Sequence, residues 1–226
     1  MESSIWSSTL ESFLDRMAGP EPTPASVTAA AVTASFASAL LIKVLEISGK
    51  RKDFSGDREK LAELIETARR EKTQLAQAAD EDILAFRSYM DHLRIPRAAG
   101  QGERQSGFFA AARRAVEVPM SAARSAVRSL EVCVVAIDLA SSHVVADVGG
   151  AAVLLSGAVR TMAVSIDSNL RQLRGDAHYY TRTMSERQAL EDRANRLAEQ
   201  TLRRTLIAIT IPLVSGVSVN DTAKVV

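Results

Sequence analysis

The stretch DREKLAELIETARREKTQLAQAADEDILAFRSYMDH, from Asp57 to His92, decides the fold, because its pattern is helical over its whole length. Glutamates, arginines and lysines cover one side of it, as expected of a face in contact with water. Asp57 is predicted to cap the first turn, and the helix would be about 50 Å long. The opposite, apolar side is formed by Leu61, Leu64, Ile65, Ala68, Leu75 and Ala79.

The segments before and just after this long helix are predicted from their prolines and glycines. A short helix over 8–17 ends at AGPEPTP, where a glycine and three prolines prevent its continuation. The next helix is predicted to begin at a Thr23 cap, with Pro24 in its first turn, and to run to about Ile47. A basic, glycine-containing loop is predicted over 94–107.

Three more helices are predicted beyond that loop. The first covers 108–140, with a break or kink at Pro119, whose ring removes a helical hydrogen bond. The second covers 147–173, and the third opens at a capping box that starts with Ser185. The tail from about residue 212 has no helical period, and we expect it to be loosely ordered.

Composition predicts one compact, all-α domain spanning residues 1–226. Hydrophobic residues make up 46% of the chain and charged residues 24%, an ordinary balance for a globular protein, while aromatics at 4% disfavour sheet. The net charge of only +1 offers no general attraction to nucleic acid or to an acidic membrane surface. The lone cysteine, Cys133, cannot form a disulfide within the chain, so a cytoplasmic location is predicted.

The least polar stretch, Ala25 to Ile42, carries no charge and approaches the length that spans a bilayer. Its residues are mostly Ala, Val, Ser and Thr, which suit close packing between helices better than contact with lipid. We therefore predict a buried core helix and no membrane span. The amino terminus also lacks the basic and apolar pattern of a secretory signal.

The motif ADEDILAFRSYMDHLRIPR, from Ala79 to Arg97, resembles a signature of the folate cyclodeaminase and methenyltetrahydrofolate cyclohydrolase family. In that family the signature contains Asp-x-Asp, Ala-Phe, an aromatic residue and a closing proline-basic pair. AARRAVEVPM and ADVGGAA follow it at suitable spacing and in the same order. The resemblance implies a compact helical bundle, a homodimer and a tetrahydrofolate derivative as substrate, with no further cofactor required.

Several positions depart from the family's pattern. The family's Pro-Gly-Gly-Gly-Ser-Val turn is shortened here, because Pro24 is followed directly by Ala, Ser and Val. The chain therefore lacks the glycines that would let backbone N–H groups approach a ligand. The family's Gly-Asn pair is represented by Ala140 and Ser141, and the amides of a later segment by Ala163 and Asp167. Each of these changes removes or recharges a polar group that would line the pocket.

The resemblance implies that Asp82, the second acid of Asp-x-Asp, is the catalytic acid-base. Hydrolysis of a methenyl bridge needs water at a cationic carbon, and a carboxylate can stabilise that cation and accept the water's proton. Asp80 lies about 200° away around the helix and would orient the substrate or face outward. Without the resemblance, a solvent-facing or paired helix acid is the simpler interpretation of Asp82.

Basic side chains would hold the carboxylates of a folate substrate. Lys50, Arg51 and Lys52 form one basic cluster, and Arg97 follows the motif's proline; a solvated loop is the alternative for the cluster. Asp147 is predicted either to contact the pterin or to cap the helix that follows it.

The three histidines are scattered, with no pair at metal-ligand spacing, so no metal site is predicted. Two classes of function remain open from the sequence. One is a folate enzyme, either a cyclohydrolase or a formiminotetrahydrofolate cyclodeaminase. The other is an inactive helical dimer that binds another ligand or a protein.

Overall fold

The structure is a computed structural model that describes residues 4–94, 101–141 and 143–214, with side chains described to residue 210 and not over 101–105. Six α-helices run through these ranges, with a short 3-10 helix at Ile5–Ser7 and another at Arg171–Leu173. No strand occurs among the described residues, so the all-α prediction is confirmed. The helices are α1 (Leu10–Ala18), α2 (Ser26–Gly49), α3 (Arg58–Arg94), α4 (Gln101–Leu139), α5 (Val145–Leu170) and α6 (Ala177–Val214).

Helices α2 and α5 form the centre of the bundle. α2 packs against α3, α4 and α5, and α5 also packs against α4 and α6. Both helices are long and apolar enough to cross a membrane, but 61% and 56% of their most apolar windows are buried inside the bundle, as in core helices. The sequence marked only the first as such a candidate. Their interior side chains, with those of α4, form the core: Leu41, Leu45, Leu130, Leu155 and Met162.

The long helix α3 follows the prediction closely. Asp57 accepts hydrogen bonds at Oδ1 from the N–H groups of Glu59 (2.9 Å) and Lys60 (3.1 Å), so it caps the helix. Leu61 and Leu75 on the predicted apolar side are buried. The helix continues to Arg94, and the remainder of the predicted motif, with Arg97, lies outside the described residues.

Two predicted helix starts were wrong. Helix α2 begins at Ser26 instead of after a Thr23 cap, and its N-cap, Ala25, has no side chain able to bond the first turn. Helix α6 begins at Ala177, eight residues before the predicted Ser185 cap. Asp176 makes that earlier start possible, because its Oδ1 accepts the N–H of Tyr179 at 3.0 Å.

Part of the predicted 94–107 loop is helical, and the predicted break at Pro119 is absent. Residues 101–107, expected in a loop, are the first turns of α4, where Gly107 lies so close to the His92 ring that an added Cβ would be 2.9 Å from it. Pro119 lies inside α4 without ending it, because its neighbours Val118 and Met120 are buried against the bundle. At the other end of the chain, α6 continues through residue 212 to Val214, and the tail beyond it lies outside the described residues.

A buried carboxylate joins α3 to α4. The Glu71 side chain is 0% exposed and accepts hydrogen bonds from Arg128 Nη2 (2.7 Å) and Arg70 Nε (3.1 Å). Burial favours the neutral acid, but the hydrogen bonds and charge of Arg128, aided by Arg70, keep the pKa of Glu71 below its usual range. The carboxylate is therefore ionised at neutral pH and depends on its arginines.

We expect Arg128→Met to lower the free energy of unfolding by about 2 to 3 kcal/mol, because it leaves a buried carboxylate with a single arginine. Urea unfolding at pH 7 measures the loss. The matched control, Arg70→Met, removes a more exposed guanidinium and should cost less than about 1 kcal/mol. Because the pKa of Glu71 is lowered in the folded state, its carboxylate stabilises the fold above the unfolded-state pKa, and this contribution is lost as pH falls. The loss of unfolding free energy caused by Arg128→Met should therefore shrink in acid. Equal losses in both variants would contradict this role of Arg128.

Candidate active site

Asp82 lies where α3 crosses the first turn of α2. Its Oδ2 accepts a hydrogen bond from the hydroxyl of Thr28 at 2.7 Å. Thr28 is 0% exposed, and Asp82 is half-buried. This is the one sequence-predicted site residue that the structure places partly inside the bundle with a buried side-chain partner.

The surroundings of Asp82 favour its protonated form. Burial raises the pKa of its carboxyl above the ordinary value, although hydrogen bonds from the Thr28 hydroxyl and backbone N–H act in the opposite direction. Among the residues that the structure describes, no basic side chain contributes to this shift. A carboxyl whose pKa is raised by burial is suited to accepting and returning a proton.

Asp82 also serves the end of α2. The first turn of a helix has N–H groups without helical partners, and the positive end of the helix dipole lies there and favours an anion. Ala25, at the N-cap, supplies no side-chain acceptor. Asp82, from a neighbouring helix, accepts the backbone N–H of Thr28 in this turn, so the paired-acid interpretation describes part of its role.

Aromatic rings continue from Asp82 along α3. Phe86 and Tyr89 are four and seven residues further on, so they share its side of the helix. Their ring centroids lie 6.5 Å apart, and Tyr89 is 5.6 Å from Phe108 at the start of α4. All three rings are half-buried, which leaves flat apolar surface beside the carboxyl.

Helix α5 reaches the same end of the bundle. Ser26, the first residue of α2, and Ser165 of α5 have their hydroxyl oxygens 3.0 Å apart. At the other end of the two helices, Lys43 of α2 lies 3.5 Å from Asp147 of α5. The two helices therefore run antiparallel, and the Asp82 end is formed by the start of α2 and the last turns of α5.

Asp80 is occupied by the amino-terminal segment. Its Oδ2 accepts the Ser4 hydroxyl at 2.6 Å, and its Oδ1 accepts the Ile5 N–H at 2.9 Å. The Trp6 indole N–H adds a bond to the Ala76 carbonyl at 2.9 Å. Asp80 thus faces away from Asp82 and secures the chain start to α3, which accounts for its carboxylate without a substrate.

The basic cluster Lys50–Lys52 lies at the far end of α2. Thr28 and Lys50 are 22 residues apart on one helix, so about 33 Å separates them. Lys50 is 4.0 Å from Glu46, and Arg51 pairs with Asp53 at 2.5 Å, while Lys52 is exposed. Within one copy of the chain, this cluster and Asp82 do not form one pocket.

Asp147 also lies away from Asp82, beside Lys43. It belongs to the first turn of α5, whose N-cap is Val144, so the predicted capping role of Asp147 was wrong. A cavity of about 350 Å³ lies beside the turn before α2. Arg87, on its wall, is about 140° around α3 from Asp82, so this cavity opens on another side of the helix. In the described ranges, no three His, Cys, Asp or Glu side chains converge as metal ligands would.

Comparison with known proteins decides the family. The formiminotransferase-cyclodeaminase family matches residues 9–189, most of the chain. This chain belongs to that family. The resemblance found in its sequence is thereby confirmed.

Two proteins that are similar to this formiminotransferase-cyclodeaminase family member are informative. A methenyltetrahydrofolate cyclohydrolase from Methylorubrum extorquens is 23% identical over 194 residues, which cover 85% of this chain and 93% of the relative. The crystal structure of a formiminotetrahydrofolate cyclodeaminase from Thermotoga maritima is similar with a TM-score of 0.81 and 18% identity. That match covers 89% of this chain and 97% of the other, and it shows that the two share a fold.

The positions that depart from the family's pattern are accommodated in the bundle. Ala163, where an amide is usual, is buried in α5 and contributes a methyl group to the interior. Asp167, the other such position, pairs with Arg187 of α6 at 2.7 Å, and Arg187 also binds Glu191 at 2.7 Å. One arginine from the next helix is thus shared by two carboxylates, and Asp167 Oδ1 is buried without a hydrogen-bond partner among the described residues.

Thr28 is the site residue that sequence reasoning missed. It lies in a stretch of Ala, Val, Ser and Thr, where one hydroxyl has no distinguishing neighbours. Its importance arises from a contact with a residue 54 positions away. No signal in the sequence pointed to it, because the helix was predicted to begin at a Thr23 cap.

We expect Asp80→Ala to release the amino-terminal segment and to leave substrate affinity unchanged. Ser4 and Ile5 lose their shared acceptor, so Trp6, the only tryptophan, should become more exposed and its emission should shift to longer wavelength. A raised KM for a folate substrate with unchanged Trp6 emission would instead support the substrate-binding prediction for Asp80.

We expect Asp82→Asn to be more stable than the wild type at pH 7. The folded-state pKa of Asp82 lies above its ordinary value, so ionising it costs stability as pH rises through the folded-state pKa. The amide removes that cost and keeps an oxygen for Thr28. Thermal unfolding should show the difference at neutral pH and its disappearance below the unfolded-state pKa; a less stable variant at pH 7 would show that Asp82 mainly serves as a cap.

Proposed function

We propose that this protein hydrolyses methenyltetrahydrofolate, with Asp82 as the general acid-base. The observation that carries the proposal is a half-buried carboxyl at the end of the bundle and beside three aromatic rings, with no cation paired to it among the described residues. Family membership and the cyclohydrolase relative, 93% of whose length is matched, support a folate substrate. No further cofactor is needed for this reaction.

The chemistry requires one group that can both accept and return a proton. Water adds to the cationic methenyl carbon, its oxygen forms the new bond, the C=N electron pair moves to nitrogen, and one proton passes to Asp82. The proton then returns from Asp82 to the departing ring nitrogen as the C–N bond breaks and the carbonyl forms. The hydroxyl proton leaves to solvent, so the products are the formyl derivative and one proton.

The neighbouring groups suit this substrate. A partly desolvated carboxylate stabilises the cationic carbon more strongly than it would in water. Phe86, Tyr89 and Phe108 offer flat surfaces for stacking with a bicyclic ring. Cyclisation of a formimino group with loss of ammonia, the activity named for the Thermotoga maritima relative, would use the same proton transfers.

A second copy of the chain is the proposed partner. Helices α2 and α5 expose a common apolar surface, here called the α2–α5 face, although both are core helices. Added Cβ atoms at Gly150 and Gly157 would meet nothing within 4 Å, so this side of α5 is open. The face consists of Phe36, Ile47, Val153, Leu154 and Val164, which are between 39% and 69% exposed.

The symmetry of such a dimer would complete the site. Phe36 lies near the middle of α2, and Leu154 lies near the middle of α5. A two-fold axis through this centre, perpendicular to the helices, reverses the helix direction in the second copy. The Lys50–Lys52 cluster of the second copy would then approach the Asp82 end, where the carboxylates of a folate need cations. Arg97, the other predicted cation, lies outside the described residues.

The direct test of the enzyme is the ultraviolet-monitored loss of methenyltetrahydrofolate with purified wild type and Asp82→Asn. We expect wild-type turnover above the buffer rate and a fall of about 10²- to 10⁴-fold in the variant, because the amide cannot transfer a proton. Ammonia release from formiminotetrahydrofolate is measured in parallel.

The matched control is Asp192→Asn, which changes an exposed acid bonded to Gln188 on α6. Its rate should equal that of the wild type. No rate above buffer with either substrate would contradict the enzyme proposal and support the inactive, ligand-binding class of function.

We expect Leu154→Glu to dissociate the dimer, because two copies of the charge would be buried together across the α2–α5 face. Light scattering over a dilution series should give a dimer mass for the wild type and a monomer mass for the variant, together with a raised KM. Leu84→Glu, at an apolar residue 59% exposed on α3, is the control and should remain dimeric. A monomeric wild type would contradict the proposed partner.

A further inference from the structure

The hydrogen bond between Thr28 and Asp82 distinguishes the two oxygens of the carboxyl. The hydroxyl of Thr28 donates to Oδ2 at 2.7 Å, and the buried threonine is fixed in the first turn of α2. The backbone N–H of Thr28 also acts on the carboxyl. The hydroxyl bond fixes Oδ2 in place, so this oxygen is the anchored one.

We propose that Thr28 is a positioning residue that anchors Oδ2 of Asp82, so that Oδ1 is the oxygen that exchanges the proton with water and with the departing nitrogen. This inference rests on the proposed hydrolysis. A carboxyl that can rotate presents either oxygen, whereas an anchored one holds a single oxygen toward the reacting carbon. The threonine itself transfers no proton.

The bonding pattern supports this assignment in both protonation states. When Asp82 is ionised, the donated hydrogen bond stabilises the carboxylate. When Asp82 is protonated, the carbonyl-type oxygen is the better acceptor, so Thr28 holds Oδ2 in that form and the proton resides on Oδ1. The same side chain thus fixes the position of the proton before and after the transfer.

Charged side chains on the helices around Asp82 bond to partners other than Asp82. Helix α2 carries no charge from Ser26 to Ile42. On the other helices, the charged side chains and their partners are Asp80 with Ser4 and Ile5, Glu81 with Arg114, Arg113 with Asp176, Glu117 with Tyr179, and Asp167 with Arg187. Burial and the hydrogen bonds from Thr28 are therefore the two opposing influences on the pKa of Asp82, and a substitution at position 28 would change their balance.

The experiment compares Thr28→Val, which keeps the shape and removes the hydroxyl, with Thr28→Ser, which keeps the hydroxyl. In Thr28→Val, burial is less opposed, so the pKa of Asp82 should rise further and the acid limb of the pH–rate profile should move to higher pH. We expect kcat/KM to fall about three- to tenfold at neutral pH, the equivalent of one hydrogen bond, and Thr28→Ser to restore both.

The control substitution is Thr205→Val, at a buried threonine of α6 whose hydroxyl bonds the Thr201 carbonyl of its own helix. It makes the same chemical change in the core without touching Asp82. Its pH profile should match that of the wild type. Equal losses in Thr28→Val and Thr205→Val, with no shift of the acid limb, would overturn the proposal in favour of a packing effect.

A second readout separates this inference from the proposed reaction. The Asp82 carboxyl carbon, observed by carbon-13 NMR in labelled protein and assigned with Asp82→Asn, titrates whether or not turnover occurs. A higher midpoint in Thr28→Val, reversed in Thr28→Ser, is the expected result, and an unchanged midpoint overturns the anchoring role. If no turnover is seen but the titration midpoint of Asp82 shifts in Thr28→Val, the proposed hydrolysis is refuted and the Thr28–Asp82 link is retained. If turnover is normal and the pH–rate profiles of wild type and Thr28→Val are identical, the link alone is refuted.

Discussion

The structure depends on how the charge-free helix α2 is buried and how its first turn is satisfied. Its side chains are covered by α3, α4 and α5, and this burial is the main source of stability. Its first N–H groups, however, have no capping side chain from Ala25. Asp82 of α3 accepts the backbone N–H and the hydroxyl of Thr28 in this turn, so one carboxyl both supports the start of the central helix and stands at the proposed reaction centre.

This double role explains the character of Asp82. A carboxyl placed only for capping can lie in solvent, as the exposed Asp57 does at the start of α3. Asp82 is drawn into the bundle, where burial favours its protonated form and Thr28 limits that effect. Function and folding therefore place opposite demands on the same residue.

The sequence predicted what depends on local patterns and missed what depends on distant contacts. The apolar side of α3 and the Asp57 cap follow from spacing within one helix, so both are confirmed. The continuation of α4 through Pro119 depends on burial by other helices, which overrides the local break. The role of Thr28 depends on its contact with Asp82, which exists only because α2 packs against α3. The distance between Asp82 and Lys50 was not predictable from the sequence either. Two motifs that are expected to bind one substrate need not lie at the same end of a helix bundle.

The most direct test of the account is a crystal structure with a stable folate, 5-formyltetrahydrofolate, bound to the protein. The account predicts that the one-carbon group lies within direct or one-water hydrogen-bond reach, about 3 Å per step, of Asp82 Oδ1. It also predicts that Oδ2 remains bonded to Thr28 and that the ring lies against Phe86 and Tyr89. A ligand bound away from Asp82, with that carboxyl acting only as the cap of α2, would contradict it.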